Sequence, residues 1–188
     1  DEIVGPADVT KGDAVVTTDG TTTTVTDADG NELTIEKDGE GNVTEVKAGD
    51  ITAKPGEGSE VTQNDAGSVT IAAPATVMDA DGEETLVEDG TVTVHPDGSV
   101  TTTTTDGDVT TSTTVDEHGD VVKTVTETPD GTKVTETPAE DGGKVVVTET
   151  PDGTTVTETF DENGDVTQTV TETPDGKVEI GRASCRER

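Results

Sequence analysis

The sequence predicts an all-β protein: an extended antiparallel β-hairpin meander, or a thin β-roll, of short strands without a thick core. Three observations lead to this prediction. The 188 residues include 42 Thr and 27 Val, and these β-branched side chains favour a strand over a helix. The string Val-Thr-Glu-Thr recurs in the second half of the chain. Turns that contain glycine follow one another at short and regular intervals.

Large apolar side chains are scarce. Leu, Ile, Val and Phe together make up 35 of the 188 residues, Trp and Tyr are absent, and the net charge is −32. Chains of this composition bury little apolar surface, and many of them are disordered. We therefore expect strands that are held by backbone hydrogen bonds and cross-strand contacts, without a two-layer core. A disordered acidic linker stays open as an alternative.

The repeats set the length of the strands. Val-Thr-Glu-Thr begins at Val125, Val134, Val147, Val156 and Val170. Its extended form, which continues with Pro-Asp-Gly, recurs at spacings of 22 and then 23 residues. Turn glycines stand 9 to 12 residues apart at Gly98, Gly107, Gly119, Gly131, Gly142, Gly153, Gly164 and Gly176. Short strands between such turns are typical of an all-β array.

The turn chemistry predicts a register. Residues 128–132 read Thr-Pro-Asp-Gly-Thr, in which Pro suits the first position of a type I turn and Gly supplies the left-handed residue that follows. A three-residue loop of this kind places Glu127 opposite Lys133 and Thr126 opposite Val134. Valine is then not confined to one side, so such a sheet is able to stand in water on both faces.

The same loop is predicted elsewhere in the second half, at residues 96–98, 151–153 and 174–176, each of which reads Pro-Asp-Gly. The first of these loops places Val94 opposite Val100.

The first half is less regular. It predicts strands over 14–26, 31–37, 42–47, 68–73 and 85–88, and a loop or boundary over 53–59, where Pro and Gly cluster. We therefore divide the chain into an irregular β-rich segment, 1–90, and a segment of Thr-rich tandem β-hairpin repeats, 91–178.

The last ten residues, 179–188, differ from the rest. They contain all three Arg and the single Cys, Cys185. Over all ten positions they resemble the translated read-through of a common sequencing-library adapter. The resemblance implies a non-native tail, no redox or catalytic role for Cys185, and a gene read from an assembled metagenomic fragment whose true termini lie elsewhere.

A second resemblance involves the turns. Residues 160–167, followed by 174–176, resemble the YD-repeat pattern of Rhs-type and teneurin proteins, as do 115–121 and 25–31. Phe160 is the only aromatic residue in the chain, whereas that pattern repeats its aromatic residue. The composition also resembles the Thr-rich repeats of large bacterial surface proteins and adhesin stalks. These resemblances imply an extracellular or cell-surface location in bacteria.

Calcium is the one cofactor that the residues suggest. Two loops place oxygen-bearing side chains at positions one, three and five, as a hard cation prefers: Asp27, Asp29 and Asn31, and Asp161, Asn163 and Asp165. Strands are predicted on both sides of these loops, where an EF-hand has helices. The alternative interpretation is that Asp-x-x-Gly is turn chemistry alone.

Other function classes are excluded. The negative charge repels nucleic acid and anionic membrane surfaces, and no apolar run approaches the roughly 20 residues that span a bilayer. No nucleophile elbow, HExxH string or phosphate-binding loop is present, so we do not expect an enzyme. His118 is expected as an exposed turn residue.

The sequence therefore predicts a structural or spacer segment of an extracellular repetitive surface protein. A calcium-dependent repeat binding module is the first alternative, and the disordered acidic linker is the second. The expected partners are neighbouring repeats of the same parent protein and divalent cations.

Overall fold

The computed structural model describes residues 7–11 and 14–182, with side chains from residue 14 onward. This part of the chain contains strands and turns, and it contains no helix that is able to cross a membrane. The strands are β1 (Ala7–Lys11), β2 (Ala14–Asp19), β3 (Thr22–Thr26), β4 (Glu32–Lys37), β5 (Val43–Ala48), β6 (Ile51–Pro55), β7 (Val61–Gln63), β8 (Val69–Ala72), β9 (Ala75–Met78), β10 (Glu84–Val87), β11 (Thr91–Val94), β12 (Val100–Asp106), β13 (Val109–Val115), β14 (Val121–Glu127), β15 (Lys133–Pro138), β16 (Lys144–Glu149), β17 (Thr155–Phe160), β18 (Val166–Glu172) and β19 (Val178–Arg182). The all-β, antiparallel prediction is confirmed.

The chain forms two compact units. Unit 1 comprises Asp1–Thr104 and Thr114–Asp120, and unit 2 comprises Thr105–Thr113 and Val121–Arg188. The division near residue 90 was based on sequence regularity and stays a prediction, as does the non-native tail. Of the tail, residues 179–182 belong to β19, and Cys185 lies outside the described residues.

Unit 1 contains parts of two sheets. The strand order is β1-β2-β3-β4-β5-β6-β9-β10 in the first sheet and β12-β11-β8-β7 in the second. The chain leaves the first sheet after β6, forms β7 and β8 in the second, returns as β9 and β10, and then enters β11 beside β8. Because of these crossings, unit 1 is more than a simple meander.

Buried residues of both sheets form one hydrophobic cluster in unit 1, which corrects the expectation of no two-layer core for this part of the chain. Its members are Ala14, Val25, Leu33, Ile35, Val46, Ala48, Ile51, Ala53, Val69, Ile71, Ala75, Val87, Val92, Val94 and Val100. The composition of the whole chain does not reveal this cluster, because Leu and Ile are concentrated in the first hundred residues.

The register explains why unit 1 has an apolar interior. Val92 pairs with Ile71, and Val94 pairs with Val69 on one side and Val100 on the other. Apolar residues therefore face apolar residues at these positions, although Val92 faces Thr102 on its other side. In the alternate row, Thr93 stands between Thr70 and Thr101. Because successive side chains of a strand point to opposite faces, one face of the sheet is apolar and buried and the other carries threonine.

The loop predicted at 53–59 is partly wrong. Residues 53–55 continue β6, and the turn begins at Gly56, whose N–H donates to the carbonyl of Pro74 over 2.8 Å. Pro55 stands at the last position of β6, opposite Ala75 of β9. The short strands β7 and β9 were also not predicted.

Unit 2 contains the sheet order β14-β15-β16-β17-β18-β19. Glu127 pairs with Lys133 and Thr126 pairs with Val134, which confirms the predicted register. Every side chain in β14 to β19 is half-buried or exposed. Unit 2 is therefore a single sheet layer whose two faces both remain accessible to solvent, as the sequence predicts.

The repeat length keeps valine on both faces of unit 2. Val125 stands opposite Thr135, which stands opposite Val147 on the other side. The adjacent row alternates in the same way, with Val134 opposite both Thr126 and Thr148. Directly opposite residues share a face, so each face carries valine and threonine in alternation and neither face becomes a continuous apolar surface.

Truncation of one aliphatic side chain in each unit is expected to have different effects on the free energy of unfolding. We expect Leu33→Ala, at a position with 0% exposure, to lower the free energy of unfolding of unit 1 by about 2–5 kcal/mol. We expect Val147→Ala in unit 2 to cost less than about 1 kcal/mol, because this half-exposed side chain leaves no closed cavity. Amide NMR signals followed for each unit through a urea titration measure both changes. Equal losses would contradict the assignment of the core to unit 1.

Candidate functional surfaces: aspartate turns and a two-sided sheet

A recurrent five-residue turn joins most of the strands. In the turn at residues 128–132, the N–H of Gly131 donates to the carbonyl of Thr128 over 2.9 Å, and the N–H of Thr128 donates to the carbonyl of Thr132 over 3.0 Å. Gly131 has a φ of +84°, which glycine adopts without steric cost. This is the predicted type I turn with a bulge. The same pair of bonds occurs in turns that begin at Asp27, Asp38, Asn64, Asp79, His95, Asp116, Ala139, Thr150, Asp161 and Thr173.

The Thr-Pro-Asp-Gly turns add a side-chain bond. The Thr128 hydroxyl donates to Oδ1 of Asp130 over 2.6 Å, and the backbone N–H of Thr132 donates to the same oxygen over 3.0 Å. These bonds favour the ionised carboxylate. They hold the pKa of Asp130 below its usual value, with the Thr128 hydroxyl as the largest cause. Asp152 and Asp175 have lowered pKa values for the same reason.

A second class of turn begins with aspartate. Oδ1 of Asp27 accepts the backbone N–H groups of Asp29 and Asn31 over 3.0 and 2.8 Å, and its Oδ2 accepts the Asn31 amide over 3.0 Å. The Asn31 side chain is the largest cause of the lowered pKa of Asp27. Asp38 and Asn42 repeat this arrangement.

The calcium candidates occupy two such turns, one in each unit. In unit 2, Oδ1 of Asp161 accepts the N–H groups of Asn163 and Asp165 over 2.9 and 3.0 Å. In both turns the three candidates thus lie together, and the first aspartate already accepts hydrogen bonds from the other two. Within residues 14–182, no group of three or more His, Asp or Glu is arranged to hold a metal ion. Specific calcium binding stays a prediction.

The lowered pKa values have a consequence for acid stability. A carboxyl group whose pKa is lower in the folded state stabilises the fold above its unfolded value of 3.8, and this contribution is lost as the pH falls through the folded value. We expect the urea concentration at the unfolding midpoint of unit 2 to decrease when the pH is lowered below 3.8. We expect a smaller fall in the variant with Asp130→Asn, Asp152→Asn and Asp175→Asn, whose side chains still accept hydrogen bonds without titrating. Circular dichroism at several pH values measures the midpoints, and identical acid profiles would refute this explanation.

The sequence analysis did not predict a network of side-chain hydrogen bonds that surrounds His95 in unit 1. His95 contacts the Ser68 hydroxyl through Nδ1 and the Thr101 hydroxyl through Nε2, both over 2.9 Å. Thr101 also bonds the hydroxyl of Thr114 over 2.8 Å. The Ser68 side chain is buried and His95 is half-buried, and these hydrogen bonds join neighbouring elements of unit 1. His118, in contrast, is an exposed turn residue, as expected.

Phe160, the aromatic residue on which the YD-repeat resemblance depends, pairs with a cation. The Lys144 ammonium lies 5.5 Å from the centre of the Phe160 ring and 3.2 Å from Oε2 of Glu136. Lys144 and Phe160 stand directly opposite each other on β16 and β17. This is a cross-strand contact of the kind that stabilises a sheet.

Comparison with known proteins gives little. No protein-family model matches this chain, and no curated protein matches it. Among solved structures, the chain is similar to the wild-type TCP10 domain of CPAP from Danio rerio, with 22% sequence identity and a TM-score of 0.28 over 94% of this chain and 100% of that one. A TM-score this low does not establish a shared fold.

Proposed function

We propose that this chain is a structural spacer segment of an extracellular repetitive surface protein. The observation that carries the proposal is the single-layer sheet of unit 2, which repeats one hairpin and keeps both faces accessible to solvent. Within each cross-strand row of the sheet valine alternates with threonine, and the turns are closed by hydrogen bonds among their own residues. An assembly of this kind extends by adding hairpins, without the need for a larger core.

The spacing of the strands sets what each repeat contributes. Neighbouring strands lie about 4.8 Å apart, so a two-strand repeat of 22 residues adds about 10 Å to the sheet in the direction of its hydrogen bonds. A flexible Gly/Ser linker of that length has an end-to-end distance of about 25 Å, with a broad distribution. The sheet therefore provides a shorter separation of defined length.

The charge supports a role in a crowded layer. The net charge of −32 makes neighbouring copies repel one another over about 8–10 Å at physiological ionic strength. The lysines of unit 2 lie among glutamates: Lys133 pairs with Glu127 and Lys144 with Glu136. Such exposed pairs contribute little to stability and leave the negative charge of the surface dominant.

Surface display tests the proposal. The full chain is placed between a bacterial surface anchor and a fluorescent reporter, and energy transfer from the reporter to a membrane dye is measured. We expect each inserted copy of residues 125–146 to lower the transfer in a regular step. A Gly/Ser insertion of equal length serves as the control and is expected to give a broader distribution. Transfer that does not change when repeats are inserted would contradict a spacer role.

The calcium-dependent binding module is the alternative that remains, and it makes a different prediction. Because the turns at Asp27 and Asp161 are closed by their own hydrogen bonds, we expect CaCl2 and MgCl2 at equal ionic strength to raise the melting temperature equally, through screening. Circular dichroism with each salt and with a chelator measures this. A strand signal that forms only with calcium would favour the alternative and argue against the spacer.

A further inference from the structure

A cavity of about 320 Å³ opens in unit 1, beside the turn between β9 and β10 and the turn between β13 and β14. Its floor includes Ile51, Val87 and Val100, which belong to the buried cluster, and Val115, which packs against that cluster. Ile51 and Val100 are only 1% and 2% exposed. The apolar surface that is open to the cavity therefore comes from Val87, which is 8% exposed, and from the half-buried Val77 and Val115. Its volume lies at the small end of ligand sites, which span about 300–1,000 Å³.

The rim of this cavity is acidic. Asp79, Asp81 and Glu83 come from the β9–β10 turn, and Asp120 comes from the β13–β14 turn. In the described part of the chain, the lysine side chains form their ion pairs elsewhere and none pairs with these four carboxylates. A cavity with an apolar floor thus faces solvent through a ring of negative charge.

Contacts between the two turns hold the rim in place. The N–H of Ala80 donates to the carbonyl of Glu117 over 3.1 Å. The Asp79 carboxylate accepts the N–H of Glu83 over 2.8 Å, and its other oxygen lies against Gly119, where an added Cβ would be 3.2 Å away. Both walls are therefore positioned before any ligand arrives, which lowers the ordering cost of binding.

We propose that this cavity binds an aliphatic polyamine, a chain of methylene groups with two or more ammonium groups. The methylenes cover the accessible surface of Val77, Val87 and Val115, and the ammonium groups meet the rim carboxylates. A compact metal cation does not use the apolar floor, and an anionic ligand is repelled by the rim. A ligand with several ammonium groups pairs with more of the rim carboxylates than a ligand with a single ammonium group does. This site is independent of the spacer role.

Butane-1,4-diamine is the probe. The valine methyl signals of the full chain are followed by NMR during titration with the diamine and, separately, with MgCl2 at equal ionic strength. We expect saturable shifts at Val77, Val87 and Val115 with the diamine and little change with magnesium. Equal shifts of these methyl groups with both cations would overturn the proposal, because they would show an acidic patch without use of the floor.

Paired substitutions localise the site. We expect Asp81→Asn with Glu83→Gln to weaken diamine binding about two- to tenfold, since two exposed charge pairs are lost. Glu140→Gln with Asp141→Asn, in the β15–β16 turn of unit 2, removes the same charge and is expected to leave the affinity unchanged. Equal weakening by both pairs would show attraction to overall charge and would overturn the proposal.

Val115→Thr, which keeps the shape and the charge, is expected to reduce the preference for the diamine over magnesium. An unchanged preference would overturn the use of the floor.

Discussion

Gly90→Ala is expected to lower the free energy of unfolding of unit 1 by more than about 3 kcal/mol. Gly90 has a φ of +95°, a conformation that costs a residue with a Cβ about 1–2 kcal/mol. An added Cβ would also overlap the backbone carbonyl oxygen of Thr103. Because that oxygen belongs to β12, within the β11–β12 ladder, it has little freedom to move away.

Gly82→Ala provides the matched control for this experiment. Gly82 also has a positive φ, +79°, but an added Cβ there would meet no atom within 4 Å. We expect it to cost only the conformational term of about 1–2 kcal/mol. Urea unfolding of unit 1, followed by NMR, compares the two variants. Equal destabilisation would show that the close approach to Thr103 has no energetic importance.

Exchanging valine and threonine at two sites of unit 2 is expected to make the protein self-associate. The variant combines Val134→Thr with Thr135→Val, and Val156→Thr with Thr157→Val. Its composition is unchanged, but valine then occupies positions 125, 135, 147, 157 and 170, which stand in one row on one face. That face becomes a continuous apolar stripe.

The expected association follows from the areas involved. Each half-exposed valine that a second copy covers contributes on the order of 1 kcal/mol. Ten valines from two copies therefore supply about 10 kcal/mol, which is comparable with the association cost of about 4–15 kcal/mol. We expect self-association that rises with protein concentration and with salt, because salt screens the repulsion between acidic copies. Sedimentation velocity measures it.

A second exchange serves as the control for the stripe. Thr126→Val, Val134→Thr, Thr148→Val and Val156→Thr together move valines along a single row of the opposite face, so that no two valines stand opposite each other in that row. This variant has the same composition as the first and is expected to remain as soluble as the parent protein. Association of both variants would show that valine content matters and that its arrangement does not.

The hairpins of unit 2 were predictable from the sequence because their determinants are local. The loop from Pro129 to Gly131 fixes its own hydrogen bonds, and the loop length then fixes that Glu127 faces Lys133. The exposure of both faces was predictable from the same register, since Val134 stands opposite Thr126 and valine is therefore not confined to one face. A register that is set by one turn can be predicted without information about distant residues.

The core of unit 1 and its cavity were not predictable in this way. The pairing of β6 with β9 joins strands that are separated by two strands of another sheet, and no local turn encodes it. The acidic rim depends on the contact between Ala80 and Glu117, which lie 37 residues apart. Neither the burial of Leu33 nor the hydrogen bonds of His95 carry a signal that composition or spacing reveals.

Amide hydrogen exchange over residues 124–172 tests most directly whether backbone pairing orders unit 2 without a core. We expect slow exchange at the ladder amides of the interior strands β15, β16 and β17, even though their side chains are half-exposed on both faces. Protection should fade toward the turns, where backbone groups face water. Exchange at the rates of an unfolded chain throughout this segment would contradict the account.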